Sequence, residues 1–295
     1  MLVSTESGGL GNRIKSWVSA RRLSADARLY WPLTPNMPAR FGELFLNDVC
    51  IDAVPSQAQT YKSWRLAILP EDEPYLPRGF AVVGAGAHPI WRGLGAGWWR
   101  LRGRRDDRYR YMLFPKQHSR KSTRRDARHI DLEYGRIPES VRAAYVPLFA
   151  ELQPQPDIAR RVQEWWSEIE DAAIVGVQVR TWRDDARRYR KYHLPARARL
   201  LRLMQVEPQD TRFLLVSDSD EFIDYLRAEF GPGRIVSFPR NTKRENSWQS
   251  PEGVIEDLID MLLLSRCQRL AASYLSTFSE VAWWLGGARA EIAVF

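Results

Sequence analysis

The chain reads as an α/β protein built on parallel sheet, and three observations carry that reading. Its second half alternates strand-like and helix-like segments without a break. One of those strands, Ile174-Val175-Gly176-Val177-Gln178-Val179, is a near-continuous apolar run, the pattern of a strand covered on both faces. The N-terminus runs from a strand through Gly8-Gly9-Leu10-Gly11-Asn12 into a helix, a turn whose glycines let backbone approach a ligand closely.

Element by element, residues 1–5 predict the first strand. A helix over about 13–25 follows, with Ile14, Trp17, Val18 and Leu23 on its apolar side. A strand at 27–31, a short helix or turn at 41–49 and a strand at 79–84 complete what is readable before the middle of the chain. Gly84-Ala85-Gly86 invites a nucleotide reading, but Pro89 would block the helix that such a loop needs. The second half predicts helix 157–170, strand 173–179, helix 196–206, strand 212–217, helix 219–230 and strand 234–238. A polar loop at 239–252 then leads to helix 253–266, strand 269–273, helix 277–286 and strand 290–295. Gln153-Pro154-Gln155-Pro156 is the natural linker. The expected domains are 1–155, with a basic, aromatic-rich insertion at 92–128, and 156–295.

A length of 295 residues suits two cores. Hydrophobic residues at 44% and charged residues at 27% place the chain among ordinary globular proteins. No apolar run reaches the ~18 residues of a membrane-spanning helix. Residues 1–5 read as strand and not as a signal peptide. Cys50 and Cys267 lie too far apart to suggest a disulfide framework or metal knot, and a cytoplasmic, reducing location is expected.

Charge is concentrated. Residues 92–128 hold thirteen Lys or Arg and three Asp, a net +10 against +8 for the whole chain, with Trp98, Trp99, Tyr109 and Tyr111 interleaved. Such a stretch suits nucleic acid, anionic lipid or an acidic glycan, and a solvated loop with buried aromatic anchors is the plain alternative. Tryptophan favours sugar faces, which tilts the reading toward a glycan acceptor met by Arg102, Arg104 and Arg105. A second basic stretch, residues 180–202, follows the strand that ends at Val179.

Four segments carry candidate chemistry. Ser276-Thr277-Phe278-Ser279 sits where a strand hands over to a helix. A Ser there caps backbone N–H groups, and the same groups with the helix dipole form an anion site. Arg180 closes the apolar strand at the edge where open α/β sheets bind ligands, and its planar fork suits phosphate; a solvated strand-end arginine is the ordinary alternative. The Gly8–Asn12 turn is not G-x-G-x-x-G, so no NAD reading is made. Asp218-Ser219-Asp220 has the Asp-x-Asp form of a metal motif. It also opens a helix with Asp220 as a natural N-cap, and cap plus nucleotide contact is the preferred reading.

Together these segments resemble the GDP-fucose-dependent fucosyltransferases of GT-B fold, a group that includes nodulation α-1,6-fucosyltransferases, bacterial α-1,2-fucosyltransferases and protein O-fucosyltransferases. The resemblance covers roughly residues 1–25 and 172–287. It rests on Gly8 to Asn12, Gln178-Val179-Arg180, Val216-Ser217-Asp218, the acidic helix with Asp257, Cys267, and Ser276-Thr277-Phe278. Two positions depart: the family's histidine is Gln178 here, and Thr181 stands where a second arginine often follows. The resemblance implies two Rossmann-like domains facing a cleft, and inverting transfer of a sugar, L-fucose, from a GDP-sugar to a glycan or glycolipid. No cofactor and no metal are expected. Arg180 and Asn12 become the candidate catalytic residues. Gly9, Gly11, Asn12, Gln178, Arg180, Ser217, Asp218, Asp257, Ser276, Thr277 and Phe278 become the donor-binding set. The general base is left open among Glu6, Asp131 and Glu133. Peripheral contact with the inner face of the membrane fits the basic stretch. A nucleic-acid-binding protein and a non-catalytic glycan- or lipid-binding relative remain alternatives; the first leaves Arg180 and Ser276 to Phe278 at strand ends unexplained.

Overall fold

The computed structural model describes residues 1–64, 66–69, 128–130, 137, 139–170, 172–273 and 276–295. They fall into two compact units, residues 1–32 with 48–151, and residues 33–47 with 152–295.

The first unit opens with β1 (Leu2–Ser4), which pairs in parallel with β2 (Arg28–Leu29) on one side and β3 (Gln59–Tyr61) on the other. A separate antiparallel pair joins β4 (Leu66–Ile68) to β5 (Arg128–Ile130). Helix α1 (Leu10–Leu23) is buried almost all round, with Arg13, Lys15, Ser16 and Ser19 inside as well as Ile14, Trp17 and Val18. It starts at Leu10, earlier than the expected 13, because Gly9 is already extended and its carbonyl accepts Arg13 N–H at 3.1 Å. The buried polar groups are matched: Ser4 and Ser16 hydroxyls bond at 2.9 Å, and Ser19 Oγ accepts Ala67 N–H at 3.2 Å. Such pairing is what makes polar burial tolerable. The sequence reading omits a helix at Glu139–Ala150, because Pro147 stands inside it. Val141, Tyr145 and Phe149, four residues apart, are its buried stripe, and Tyr145 donates its hydroxyl to the Ala67 carbonyl at 2.5 Å.

Residues 33–47 pack with the second unit, although they precede most of the first. The short helix α2 (Phe41–Leu44) is tied to the chain after 151. Leu46 N–H donates to Gln153, Gln155 N–H to Leu44, and the Gln155 amide to Gly42. The Pro-rich stretch expected as a linker is therefore a hydrogen-bonded strut. The strand expected at 79–84 lies outside the described residues.

The second unit follows the sequence closely. The helix at Glu139–Ala150 being α3, its elements are α4 (Pro156–Ser167), β6 (Ile174–Val179), α5 (Ala186–Arg188), a π-turn at Tyr189–His193, and α6 (Leu194–Gln205). Then come β7 (Arg212–Ser217), α7 (Asp220–Phe230), β8 (Ile235–Val236), a 3-10 segment at Arg244–Gln249, α8 (Pro251–Ser265), β9 (Arg269–Ala272), α9 (Thr277–Leu285) and β10 (Glu291–Val294). All five strands are parallel, in the order β10-β9-β6-β7-β8. Val175, Val177 and Val179 point to one face, against Leu200 and Met204 of α6 and Phe222, Ile223 and Leu226 of α7. Gly176 is on the other face, where an added Cβ would stand 2.6 Å from Leu270 and 3.0 Å from Cys267 Sγ. Cys267 is buried, as a small core residue should be, and burial pushes its thiol up to about 12.

A buried ionic knot ties the loop after β8 to α8. Arg240 donates to Glu256 (3.2 Å), Asp260 (3.0 Å) and the Gly253 carbonyl (2.9 Å), and pairs with Asp257 at 2.9 Å. Glu256, fully buried, also accepts the N–H groups of Asn241 and Thr242. Arg244 reaches the Phe238 carbonyl at 3.0 Å and lies 3.9 Å from Asp260. Buried charges of this kind persist only when paired and hydrogen-bonded.

Two outcomes are expected from this packing. Gly253→Ala would put a methyl 2.1 Å from the Ser247 carbonyl oxygen. The 3-10 segment would have to lift off α8, and urea unfolding should show a loss of ~2 kcal/mol. Burial raises the Asp260 carboxyl to about 6. A carboxyl raised on folding binds its proton more tightly in the native state, so its contribution is present at low pH and is lost as pH rises through about 6. Unfolding free energies measured from pH 4 to 7 should therefore fall more steeply for wild type than for Asp260→Asn; parallel curves would place the titration elsewhere.

Candidate functional site

The strand order of the second unit defines a switch point. From β6 the chain winds outward through β7 and β8, then returns to the other side of β6 as β9 and β10. Neighbouring strands whose connections leave in opposite directions open a crevice at their carboxyl ends. Here that place lies between β6 and β9, and two of the sequence-predicted segments, Arg180 and the start of α9, come there with Ser273. Arg180 follows β6, Ser273 follows β9, and α9 begins shortly after. The Arg180 N–H donates to Ser273 Oγ at 2.8 Å, and the Ser273 N–H donates to the Gln178 carbonyl at 3.0 Å. Ser276 is the N-cap of α9, its hydroxyl accepting from Ser279 N–H. Thr277 and Phe278 form the helix's first turn, where the dipole presents partial positive charge.

Asp218, at the end of β7, crosses to the β6 end. Its Oδ1 accepts both the N–H (2.7 Å) and the hydroxyl (2.8 Å) of Thr181, while Oδ2 lies 3.2 Å from Arg180 Nε. Both carboxylate oxygens are thus engaged in fixing residues 180–181. The Arg180 side chain is otherwise half exposed. Its guanidinium lies 5.0 Å from the Trp182 ring centroid, and Arg188 lies 4.8 Å from the same ring. Trp182 has φ +57°, a left-handed conformation that a bulky side chain avoids. The turn is held on both sides, by Asp218 at Thr181 and by the Asp185 N–H bonding the Trp182 carbonyl at 2.9 Å. Strain of this kind costs ~1–3 kcal/mol and collects at functional loops.

His193 comes to the same place from the π-turn. It is buried, stacked on Tyr189 at 5.1 Å and edge-on to Phe222 at 5.0 Å. Burial holds its imidazole below the ordinary value, with Asp218 and the Arg180 backbone pulling the other way. Gln178 is 6% exposed, and its Oε1 is buried with no hydrogen-bond partner. A buried acceptor left without a donor costs ~1–3 kcal/mol, so it marks a place where a hydroxyl or N–H would be welcome.

The remaining donor-set residues of this unit behave differently. Ser217 is buried at the β7 end, its Oγ accepting Ser219 N–H at 3.3 Å. Ser219, not Asp220, is the N-cap of α7: its hydroxyl accepts Phe222 N–H, and Asp220 is the first helical residue. Asp220 instead accepts the Arg244 N–H, and Glu245 accepts the Asp220 N–H at 2.7 Å. Asp257 binds Arg240 and the Ser247 hydroxyl (3.0 Å), within the ionic knot.

In the first unit, the Gly8–Asn12 turn is braced from beneath. Glu6 Oε1 accepts the N–H groups of Ser7 (3.1 Å) and Gly8 (2.9 Å). Arg13, fully buried, donates to the carbonyls of Gly8 (2.7 Å), Pro32 (2.7 Å) and Ser7 (3.3 Å) and lies 4.8 Å from the Trp31 ring. Burial lowers its guanidinium to about 10. A Cβ on Gly8 would stand 2.8 Å from Asn12 Nδ2, whereas Gly9 faces open space. Gly11 is buried inside α1 and Asn12 is half-buried in its first turn. These bonds brace the turn and leave its open side at Gly9.

Arg102, Arg104, Arg105, Asp131, Glu133 and nearly all of the basic stretch 92–128 lie outside the described residues. The sequence reading missed Thr181, Ser273, His193, Arg13, Arg240 and Glu256. Of these only Arg13 had a signal, a cation inside an apolar helix pattern; the others acquire partners through register and loop folding.

No protein-family model matches the chain, and no curated protein matches it in sequence. Solved structures do resemble it. The α-1,6-fucosyltransferase NodZ soaked with GDP-fucose matches with TM-score 0.50 and 18% identity, over 96% of this chain and 92% of that one. The selenomethionine form of fucosyltransferase NodZ from Bradyrhizobium matches with TM-score 0.50 and 18% identity, over 95% and 90%. An Arabidopsis thaliana FUT1 mutant in complex with GDP stands at TM-score 0.49 and 14% identity, over 99% of this chain and 69% of that one. At such identity the likeness speaks to fold alone, and the fold of this chain is similar to that of the fucosyltransferase NodZ.

Proposed function

We propose that the protein is a glycosyltransferase that takes a sugar from a nucleoside diphosphate, with GDP-fucose the expected donor, and passes it with inversion and without a metal to a glycan or glycolipid. The observation that carries this reading is the switch point of a parallel sheet, where the Arg180 N–H bonds Ser273 Oγ and the Ser273 carbonyl accepts the N–H of Ser276, the N-cap of α9. The leaving diphosphate gathers negative charge, and groups already fixed in place stabilise it most. Arg180 is the cation for that task and the first turn of α9 the dipole. Asp218 is a positioning residue that aims Arg180, rather than a nucleoside contact. Gln178 offers its orphaned Oε1 to a donor hydroxyl or N–H, and it carries no proton to give or take. Asp257, held by Arg240 and Ser247, would act on a nucleoside only through the loop it anchors.

Calorimetric titration of GDP and GDP-fucose in EDTA tests the assignment. Binding in EDTA is expected, and GDP should raise the melting temperature by mass action. A need for magnesium or manganese would contradict the metal-free reading, and tighter binding of UDP or ADP sugars would contradict the donor.

Two substitutions test the roles. Arg180→Lys should lower kcat by ~100-fold, because an ammonium cannot reproduce the two-pronged contact. The melting temperature should hold, since the side chain is half exposed. Near wild-type turnover in that variant would remove Arg180 from the transition state. Asp218→Asn keeps an acceptor for Thr181 but loses the charge facing Arg180. It should weaken GDP binding by ~10-fold, and combined with Arg180→Ala it should add little further loss. Additive losses would give Asp218 a ligand contact of its own.

A further inference from the structure

Residues 180–202 carry nine Lys or Arg and two Asp, a net charge of +7 against +8 for the entire chain. Arg183 and Arg188 are partly matched, by Asp184, Glu245 and Asp185. Arg187, Arg190 and Lys191 are exposed and form no ion pair with a described carboxylate. The Asp185 carboxylate accepts the N–H groups of Arg187 and Arg188 and so starts a helical run through α5, the π-turn and α6. Residues three and four apart on such a run are neighbours, so Arg187 faces Arg190 and Lys191, and like charges at that spacing are destabilising. Arg190 Nε donates to the Ala186 carbonyl at 3.2 Å and Lys191 Nζ lies 5.0 Å from the Tyr192 ring centroid, but no described carboxylate neutralises any of the three.

The cluster is joined to the candidate site. The Trp182 indole carries Arg180 on one hand and Arg188 on the other, at 5.0 and 4.8 Å. Tyr192 is half-buried, with its ring 6.2 Å from the Trp182 ring. Lys191 lies over the Tyr192 ring, which in turn meets Trp182, so an anion bound by the cluster would lie on the side of the Trp182 turn that follows Arg180. The diphosphate already has Arg180 and α9, so the cluster is surplus to it.

The geometry points to an acceptor subsite: Arg187, Arg190 and Lys191 hold the negative groups of a saccharide that carries carboxylates or phosphates, beside the aromatic ledge of Trp182 and Tyr192. This rests on the glycosyltransferase reading, since that reading is what makes the anion's carrier a saccharide rather than another polymer. Exposed charges act over ~10 Å at 0.1 M salt, so the contact should be salt-sensitive.

The test is binding, at low and at moderate salt, of four probes: an oligogalacturonate, a phosphorylated oligomannoside, neutral maltopentaose and poly(U) RNA. Wild type is compared with the triple variant Arg187→Ala, Arg190→Ala, Lys191→Ala, and GDP is titrated into the same samples. One of the two anionic saccharides should bind and maltopentaose should not; which one binds separates carboxylate from phosphate. The triple variant should lose about tenfold or more of that affinity with its salt dependence, while GDP affinity holds. The proposal is overturned if neither anionic saccharide binds, if maltopentaose binds as well, if the triple variant binds like wild type, or if poly(U) outcompetes both saccharides. Loss of GDP binding in the triple variant would also overturn it, by placing the cluster at the donor site. Failure of GDP to bind wild type would instead sink the glycosyltransferase reading, whatever the saccharides do.

Discussion

One carboxylate holds the candidate site together. Asp218 leaves the end of β7 and closes on Thr181 and Arg180 at the end of β6. Ser273 closes from the other side, at the end of β9. Three strand ends are thereby locked at the one place where the sheet's connections part. Without Asp218 the Thr181 N–H and hydroxyl lose their acceptor, and Trp182 loses the restraint that keeps it at positive φ. The position of Arg180 follows from the same three bonds. Its guanidinium stays half in solvent, where it can meet a ligand.

A second layer supports the first. Arg183 reaches Glu245 at 3.3 Å, Glu245 caps Asp220, and Asp220 holds Arg244, which leads into the knot of Arg240, Glu256, Asp257 and Asp260. A continuous polar chain thus runs from the loop after β6 to helix α8. A buried ionic network adds little net stability over an apolar core, but breaking it is costly. Its use here is geometric, because it fixes the loop after β8 in one arrangement beside the strand ends.

Much of the second unit was legible in the sequence, for a physical reason. Strands buried on both faces must be apolar runs, and their crossover helices must be amphipathic, so β6, β7, β9, α7 and α8 stand out. Their ends place Arg180, Asp218 and Ser276 without further information. The segment 183–193 was not legible: it is arginine-rich with no apolar period, and its helical run depends on Asp185 as cap and on His193, stacked on Tyr189, packing against Phe222. The N-cap of α7 went to Ser219 and not Asp220, since either residue can cap and the loop at Arg244 and Glu245 decides between them. In the first unit, strands of two or three residues carry too little pattern to read, and Pro147 hides the helix in which it sits. Residues 33–47 join the second unit through backbone bonds at 153–155, which no periodicity announces.

The central claim is that the diphosphate sits at the switch point between β6 and β9. Hydrogen–deuterium exchange in the presence and absence of GDP tests it most directly. Slowed exchange is expected at peptides covering residues 178–182 and 276–280, with little change at β8 or β10 on the same sheet. GDP protection confined to other parts of the chain, with those two segments unchanged, would contradict the account.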